Sequence, residues 1–373
     1  MMHRRHFLSL LAAAPLAAKP LRVERVEIWK VVVRMKPGVV NSENYGPGLD
    51  PGLANFDQVP KHLIRLHTSD GLTGIGETGR GVDTQSVEAN AKFLTGRDLL
   101  TLDFSQASLG LPARASSDAY EIALYDLMGR SLGVPVHTLL GGLHQPKVAV
   151  TYWTGQRTEQ DYIMIAERAL SQGFKHLKIK ARRYDPIEKR VAAIDKAAPS
   201  LTLTVDFNRS YPDVATFLPV AKRLEGYKLT IEDPIRGDLN ALRQLRERVA
   251  VPFALTTAST TVMMEAIRMG AVDMFNLGGP MRTFVETCQV ASAAGIPAWH
   301  GSGVELGVRD MSFIQAAAAT RSCTVPSDTL CWLRQSDLLQ QPFKVVDGYI
   351  EVPRTPGLGV DLDMDAVRRH QVS

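Results

Sequence analysis

Three short stretches decide the fold that we predict for this chain: HLKIKA at residues 176–181, LTLTVDFN at 201–208 and KLTIEDP at 228–234. Each is an apolar run of strand length that ends in charged or amide side chains, and a helical pattern follows each one. Four further runs of the same kind begin at residues 148, 252, 273 and 297. Seven strand–helix units in series favour a closed parallel barrel over an open doubly wound sheet. No GxGxxG motif follows the first strand, which argues against a dinucleotide site.

The segments that flank this series predict the domain organisation. Residues 21–135 read as strands first and helices afterwards, which is typical of a separate α+β unit. We place the barrel at 146–340 and expect the strand-like segment 341–373 to return to the N-terminal unit. The stretch 36–57 is rich in Gly, Pro and Asn and has no regular period. It is either a lid over the barrel mouth or a passive surface loop.

The composition excludes several classes of protein. The 373 residues are 45% hydrophobic and 22% charged, which is a globular balance and not that of a disordered chain. A net charge of +4 over this length is too small to indicate nucleic-acid binding. The three cysteines, Cys288, Cys323 and Cys331, have no CxxC spacing, so they indicate neither a zinc site nor a dithiol redox site.

The N-terminus has the pattern of an export signal. In MMHRRHFLSLLAAAPLAAKP, Arg4 and Arg5 precede an apolar run that ends in small residues near Ala18. The order RRxFL resembles a twin-arginine signal, and the run is too short to span a bilayer. The alternative is a frayed tail with a chance arginine pair. We therefore predict a signal peptide at 1–18 and a bacterial periplasmic or extracellular protein whose mature form does not contact a membrane.

Two lysines and two carboxylates lie where a barrel carries its chemistry, at the C-terminal ends of the strands. Lys178 and Lys180 point the same way from one strand, and mutual repulsion and burial should lower a lysine pKa toward the range of a general base. Asp206 and Glu232 end the next two strands, and clustered carboxylates suit Mg²⁺. The alternatives are solvated lysines and carboxylates that only cap turns or helices.

Three further residues are candidates for the same site. Asn208 shares a strand face with Asp206 and is a candidate substrate ligand. His300 ends the seventh strand and is either a second acid/base or a hydrogen-bonded structural histidine. Glu305 either orients the substrate or caps the next helix.

Taken together, the motifs resemble the enolase superfamily, in its mandelate racemase/muconate lactonizing enzyme branch. LKIK is similar to the KxK base motif of that family, VDFN and IEDP to its first two metal-ligand strands, and PGLGVDLD to its closing segment. The resemblance implies an α/β fold, a modified TIM barrel of the form (β/α)7β, under an α+β capping domain built from the N-terminal region and the C-terminal segment. It also implies Mg²⁺-assisted removal of the proton α to a carboxylate, and a symmetric homo-oligomer.

The sequence departs from the family pattern at two strands. The third metal carboxylate should end the fifth strand, where Thr256, Thr257 or Ala258 stands, and we place the vacancy near Thr257. The second base, or the carboxylate that supports a histidine, should lie near Gly278, where there is neither a lysine nor an aspartate.

These departures leave two hypotheses about function. The first is a lyase or isomerase that acts on a small carboxylate with a single base. The second is an exported barrel that binds an organic acid without converting it. The sequence assigns the following residues: Lys178, Lys180 and His300 as catalytic, Asp206 and Glu232 as metal ligands, and Asn208 and Glu305 as substrate ligands.

Overall fold

The computed structural model describes residues 20–46, 48–104 and 108–373, so the predicted signal peptide at 1–18 lies outside the described residues. Within these ranges the chain forms twelve strands and eleven α-helices. The strands are β1 (Val23–Val31), β2 (Lys61–Thr68), β3 (Thr73–Glu77), β4 (Lys147–Trp153), β5 (His176–Lys180), β6 (Thr202–Asp206), β7 (Leu229–Glu232), β8 (Phe253–Thr257), β9 (Met274–Leu277), β10 (Ala298–His300), β11 (Ser327–Asp328) and β12 (Tyr349–Glu351). The helices are α1 (Thr84–Leu94), α2 (Ser117–Leu132), α3 (Val136–Leu140), α4 (Glu159–Ser171), α5 (Ile187–Ala197), α6 (Val214–Arg223), α7 (Leu239–Arg248), α8 (Thr260–Met269), α9 (Met281–Ala293), α10 (Val308–Ala318) and α11 (Met364–His370).

The N-terminal unit is a three-stranded antiparallel sheet, in the order β1-β2-β3, covered by helices. Helix α2 packs so closely on β3 that the strand needs glycines. A Cβ at Gly74 would lie 2.2 Å from the carbonyl oxygen of Ala123, and one at Gly76 would lie 2.0 Å from that of Ala119. The GIGE pattern of β3 therefore fixes the contact between sheet and helix.

The second unit is a barrel of parallel strands that run from β4 to β11, each of the first seven followed by a helix. Strands β4 to β10 pair in sequence order, and β11 pairs with β4. A bridge between Ala298 and Cys323, and a hydrogen bond from the amide of His300 to Oγ of Ser327 (3.1 Å), connect β10 with the segment that carries β11. The predicted (β/α)7β fold class is confirmed.

Short polar side chains begin several of the barrel helices. The side chains of Thr158, Asp213, Asp238 and Ser259 each accept a hydrogen bond from a backbone amide in the first turn of α4, α6, α7 and α8. These caps satisfy amides that have no partner within the helix. Each cap also limits the length of the loop before it, and these loops surround the mouth of the barrel.

The C-terminal segment contacts both units. Strand β12 pairs antiparallel with β4 of the barrel. Beyond it, the amide of Val32 donates to the carbonyl of His370, and Val31 bridges to Gln371 beside the N-terminal sheet. None of the described helices combines the length and the hydropathy needed to cross a bilayer.

Candidate active site

A cavity of about 520 Å³ opens at the C-terminal ends of the barrel strands. Its floor carries side chains from several strands, and its rim includes Asp50, from the 36–57 stretch, and Arg80, from the segment after β3. Of the seven residues assigned from the sequence, five line this cavity: Lys178, Lys180, Asp206, Asn208 and Glu232. Strand register explains the clustering, because Lys180 pairs with Asp206 and Asp206 pairs with Glu232 across β5, β6 and β7.

Lys178 is buried at the floor of the cavity among three carboxylates. Its Nζ lies 2.8 Å from Oδ2 of Asp328, 2.7 Å from Oε2 of Glu232 and 3.7 Å from Oδ2 of Asp206. Burial disfavours its charge, but the three acids outweigh burial and raise the pKa of Lys178 well above its usual value. The expectation that this lysine has a lowered pKa is therefore wrong, because carboxylates and not the neighbouring lysine surround its ammonium group.

Lys180 lies nearer to the cavity opening, with 15% of its side chain exposed. Its Nζ donates to Oδ2 of Asp206 at 2.5 Å and to Oδ1 of Asn208 at 3.0 Å. Asn208 adopts a left-handed backbone conformation (φ 46°) just after β6, which its short polar side chain tolerates. These two acceptors hold the amine in a fixed position that remains open to a ligand.

The carboxylates of the floor differ in their ionisation. Burial opposes the charge of Asp206, but Lys180 and Lys178 outweigh it and hold the pKa of Asp206 below its usual value. Burial, together with the charge of Asp206, raises the pKa of Glu232. Oε1 of Glu232 accepts hydrogen bonds from Nδ2 of Asn276 (2.6 Å) and from the hydroxyl of Thr256 (3.1 Å).

Of the two departures from the family pattern, the structure moves the first by one residue and leaves the second near Gly278. Thr256, and not Thr257, lies beside Glu232 and donates to it (3.1 Å), whereas the Thr257 hydroxyl accepts from the amide of Ser259. On the next strand Gly278 lines the cavity, and the side chain of Asn276, two residues earlier, also lines it and donates to Glu232. Thr256 and Asn276 pair in register, so they project from the same face of the sheet.

His300 does not reach the cavity. Two rows of residues run across β8, β9 and β10. Thr256, Asn276 and Trp299 form the row on the cavity face, and Thr257, Leu277 and His300 form the next row, which points to the opposite face because side chains alternate along a strand. The ring of His300 stacks on Phe313 at 3.3 Å between centroids and meets Phe284 at 5.2 Å. The structure therefore places His300 in the apolar layer between the strands and helices α9 and α10, which supports a structural role and not that of an acid.

Glu305 lies beside the cavity and shapes its wall without lining it. Its carboxylate accepts from the hydroxyl of Ser302 and from the amide of Gly303 (2.5 Å), so it folds the 301–304 loop that does line the cavity. It does not cap α10 either, since Gly307 is the N-cap residue of that helix. The N-terminal unit, which caps the barrel, holds the chain directly after this loop, because Glu77 accepts from the amides of Leu306 (2.7 Å) and Arg309 (2.9 Å).

The 36–57 stretch forms part of the cavity and is tied to the barrel. The amide of Asp50 donates to Oε1 of Gln156 at 2.7 Å, and the carboxylate of Asp50 lies 3.4 Å from the guanidinium of Arg182. Phe56 packs on Trp153 at 5.9 Å between ring centroids. These contacts place the stretch at the barrel mouth, and its role as a lid stays a prediction.

The residue that sequence reasoning missed is Asp328, the third acid around Lys178. Its strand, β11, has only two residues and follows Pro326, so no apolar run marks it. The strand spacing is the signal that remained, because one more step of 21–28 residues beyond the run that begins at residue 297 leads to residues 318–325, just before β11. Asn276 and Arg80 also line the cavity and were not predicted. Alternation along β9 is the signal that indicates Asn276, because it lies two residues before Gly278 and therefore on the same face.

Two family models match the chain in succession. Residues 55–141 match the mandelate racemase/muconate lactonizing enzyme N-terminal domain, and residues 161–366 match the enolase C-terminal domain-like family. Together they cover both structural units and more than half of the chain. The chain belongs to the enolase superfamily, in its mandelate racemase/muconate lactonizing enzyme branch.

Relatives in this superfamily match nearly the whole chain. It is 30% identical to muconate cycloisomerase 1 of Rhodococcus opacus, and the match covers 83% of this chain and 90% of the relative. It is 29% identical to N-succinylamino acid racemase of Thermus thermophilus, and that match covers 82% of this chain and 88% of the relative. A solved enolase from Thermobispora bispora, complexed with magnesium and formate, superimposes with a TM-score of 0.77 at 22% identity and covers 94% of this chain and 92% of that one. The protein is thus an enolase-superfamily enzyme, a lyase or an isomerase.

The superfamily implies a divalent metal, and the residues present fit a weakly held one. Oδ1 of Asp328 and Oδ1 of Asn276 are buried without a hydrogen-bond donor in the described part of the chain, and three acids face two ammonium groups. This surplus of oxygen acceptors suits a hard dication, and Asp206 and Glu232 are the carboxylates that would hold it. However, no group of three or more His, Cys, Asp or Glu among the described residues is arranged to hold a metal.

Proposed function

We propose that this enzyme removes the proton α to the carboxylate of a small organic or sugar acid, with Lys180 as the base. The observation that carries the proposal is the position of the Lys180 amine, which lies at the cavity surface between Asp206 and Asn208. The resulting enolate leads to dehydration, β-elimination, cycloisomerisation or epimerisation. Of these, the site favours the reactions that need a base on one side only.

The base is the neutral amine form of Lys180: the electrons of the broken C–H bond move into the enolate, and the lone pair on Nζ of Lys180 takes the proton and becomes an ammonium group. The charge that develops on the carboxylate oxygens is stabilised by Lys178, whose ammonium group is fixed at the cavity floor. A dication held by Asp206 and Glu232 would supply Lewis-acid stabilisation at the same oxygens when bound. Since an α-proton of a carboxylate is very weakly acidic, stabilisation of this charge is the main requirement of the site.

The wall opposite Lys180 supports a one-base mechanism. In the described part of the chain, the ends of β9 and β10 give this wall Asn276, Gly278, Gly301, Ser302 and Gly303. None of these side chains titrates near neutral pH. Racemisation needs bases on both faces of the α-carbon, so this arrangement favours elimination or cycloisomerisation.

One observation favours the second hypothesis, an acid-binding protein without turnover. Thr256 supplies a neutral hydroxyl where the family pattern requires a carboxylate, and the ammonium group of Lys178 already lies between Glu232 and Asp328. A site that binds an acid and leaves it unchanged would keep the positive charges of the cavity floor and show no proton exchange.

Solvent deuterium uptake into a panel of hydroxy and sugar acids distinguishes the two hypotheses. Lys180→Met should lower exchange by about 10²–10⁴-fold, the usual contribution of a general base, and leave acid binding measured by calorimetry within a few-fold of wild type. Lys189→Met, at an exposed lysine of α5, is the matched control and should exchange normally. Exchange by Lys180→Met close to the wild-type rate would refute the assignment, and binding without exchange by the wild type would establish the second hypothesis.

A further inference from the structure

A second cavity of about 440 Å³ adjoins the first one and carries three arginines. Arg182 and Arg183 come from the loop after β5, and Arg236 comes from the loop after β7. Asp50 and Asn208 line both cavities. Because Oδ1 of Asn208 also accepts from Nζ of Lys180, the arginine cavity begins one side chain away from the proposed base.

The charges of the second cavity are not balanced. Its only acid in the described part of the chain is Asp50, which lies 3.4 Å from the guanidinium of Arg182. Neither Arg183 nor Arg236 forms an ion pair with a described residue, and their guanidinium contacts are with the ring of Tyr184 (5.3 Å) and the carbonyl of Arg209 (3.1 Å). The cavity therefore has an excess of two positive charges and keeps guanidinium donors available for an oxyanion.

Backbone contacts hold the loops of this cavity in place. The amide of Arg236 donates to the carbonyl of Tyr211 (2.9 Å), and the amide of Arg209 donates to the carbonyl of Asp233 (2.6 Å). These two hydrogen bonds join the loop after β6 to the loop after β7. The Tyr211 hydroxyl donates to the carbonyl of Arg183 (2.8 Å), and this bond ties the loop after β5 to the loop after β6. A preformed arrangement of donors lowers the entropy cost of binding an anion.

We infer that the arginine cavity binds a second oxyanion of the substrate, a carboxylate or a phosphate separated by a short chain from the carbon that loses its proton. This inference rests on the proposed function, since it places the reacting carbon at Lys180. It narrows the substrate class to acids with at least two anionic groups. The net charge of +4 does not indicate this preference, because it says nothing about where the charges lie.

Calorimetry with two acids of equal carbon number tests the inference without any need for turnover. Wild-type protein should bind glutarate at least tenfold more tightly than pentanoate, and inorganic phosphate serves as the probe for a phosphate group. The double variant Arg183→Gln/Arg236→Gln should lose the preference for glutarate and any affinity for phosphate. The control Arg248→Gln/Arg268→Gln removes the same charge from exposed positions at the ends of α7 and α8 and should keep both.

The outcomes separate this inference from the proposed function. A loss confined to glutarate in the double variant supports a carboxylate as the second anion, and a loss confined to phosphate supports a phosphate. Equal binding of glutarate and pentanoate by the wild type, together with no difference in phosphate affinity between wild type and double variant, overturns the inference. Lys180→Met should keep the preference for glutarate, so a failure of its exchange assay bears on the proposed function alone.

Discussion

Lys178 and Lys180 lie two residues apart and face the same cavity, but their surroundings give them different roles. Three carboxylates keep Lys178 charged and buried, whereas Lys180 has two polar acceptors and access to the opening. A buried ion pair is costly to break, because the partner that remains is left charged and desolvated. We therefore expect Lys178 to matter for both stability and charge stabilisation, and Lys180 mainly for chemistry.

The position of Thr256 predicts how metal affinity can be increased. Thr256→Asp would place a third carboxylate beside Glu232, and we expect it to tighten Mg²⁺ binding at least tenfold, about 1.4 kcal/mol, since Mg²⁺ prefers anionic oxygen. Calorimetry with Mg²⁺, with and without a carboxylate ligand, measures the change. Thr257→Asp is the matched control, because this side chain lies outside the cavity. Equal effects of the two substitutions would contradict the placement of Thr256.

The environment of His300 predicts a pH effect on stability and little effect on proton exchange. Burial first, and then the charges of Arg309 and Lys178, hold the pKa of His300 well below its usual value. The unfolded chain binds a proton near pH 6.5 and the folded protein does not, so stability falls as the pH drops below that value. His300→Phe should remove about 2 kcal/mol of the loss in unfolding free energy between pH 7 and pH 5.

Urea denaturation at the two pH values measures this effect, and deuterium exchange by the same variant tests the catalytic role. Phe at this position keeps the ring contacts with Phe313 and Phe284 and removes Nε2, a buried nitrogen without a partner among the described residues. An exchange rate that falls by more than a few-fold in a stably folded variant would restore His300 as a candidate acid.

At the scale of elements, loops from both units build the active-site cavity, and a buried polar side chain anchors two of these segments. Glu77 on β3 holds the start of α10, and Gln156 in the loop after β4 holds the 36–57 stretch. Both anchors are almost fully buried, so their hydrogen bonds are protected from water. The capping unit therefore determines the shape of the cavity as well as closing it.

Removal of the Gln156 anchor should free the lid. Gln156→Ala breaks the bond to the amide of Asp50, and we expect faster proteolysis within 36–57 and weaker binding of a carboxylate ligand. Gln58→Ala changes an exposed glutamine directly after this segment and is the control; it should leave both unchanged. Limited proteolysis with and without ligand gives the measurement. Equal protection of the loop in all states would argue against a lid.

At the scale of the whole molecule, the two units form a continuous framework around one reaction centre. Strand β12 pairs with the barrel, and the chain beyond it returns to β1, so the C-terminal segment links the two units. The acids and lysines of the floor come from β5, β6, β7 and β11, which brings residues 150 apart in sequence into contact at Lys178 and Asp328. Mutations of this floor should therefore affect both units.

Export remains a prediction for the whole chain, carried by residues outside the described ranges. Arg4→Lys combined with Arg5→Lys should keep the protein in the cytoplasm of a bacterial host that has twin-arginine export, because that pathway recognises the arginine pair. Arg22→Lys, beyond the predicted cleavage point, should leave export unchanged. Cell fractionation measures the distribution, and an unchanged distribution of the double variant would reject the signal.

The sequence by itself determined the barrel, the two-unit organisation and five of the residues that line the cavity. Those features are encoded locally, because strand periodicity and the position of a polar side chain at a strand end are visible within a few residues. Strand β5 ends with LKIK at Lys180, and β6 and β7 end within VDFN and IEDP, at Asp206 and Glu232.

Only the tertiary structure decided which side chains meet. Alternation along β8, β9 and β10 turns Thr257 and His300 away from the cavity and Thr256 and Asn276 toward it, and a one-residue error in phase reverses this result. The two-residue strand of Asp328 is defined by its pairing with β4 and not by its own sequence. The high pKa of Lys178 has the same origin, because it depends on three acids that the closed barrel brings together from distant parts of the chain.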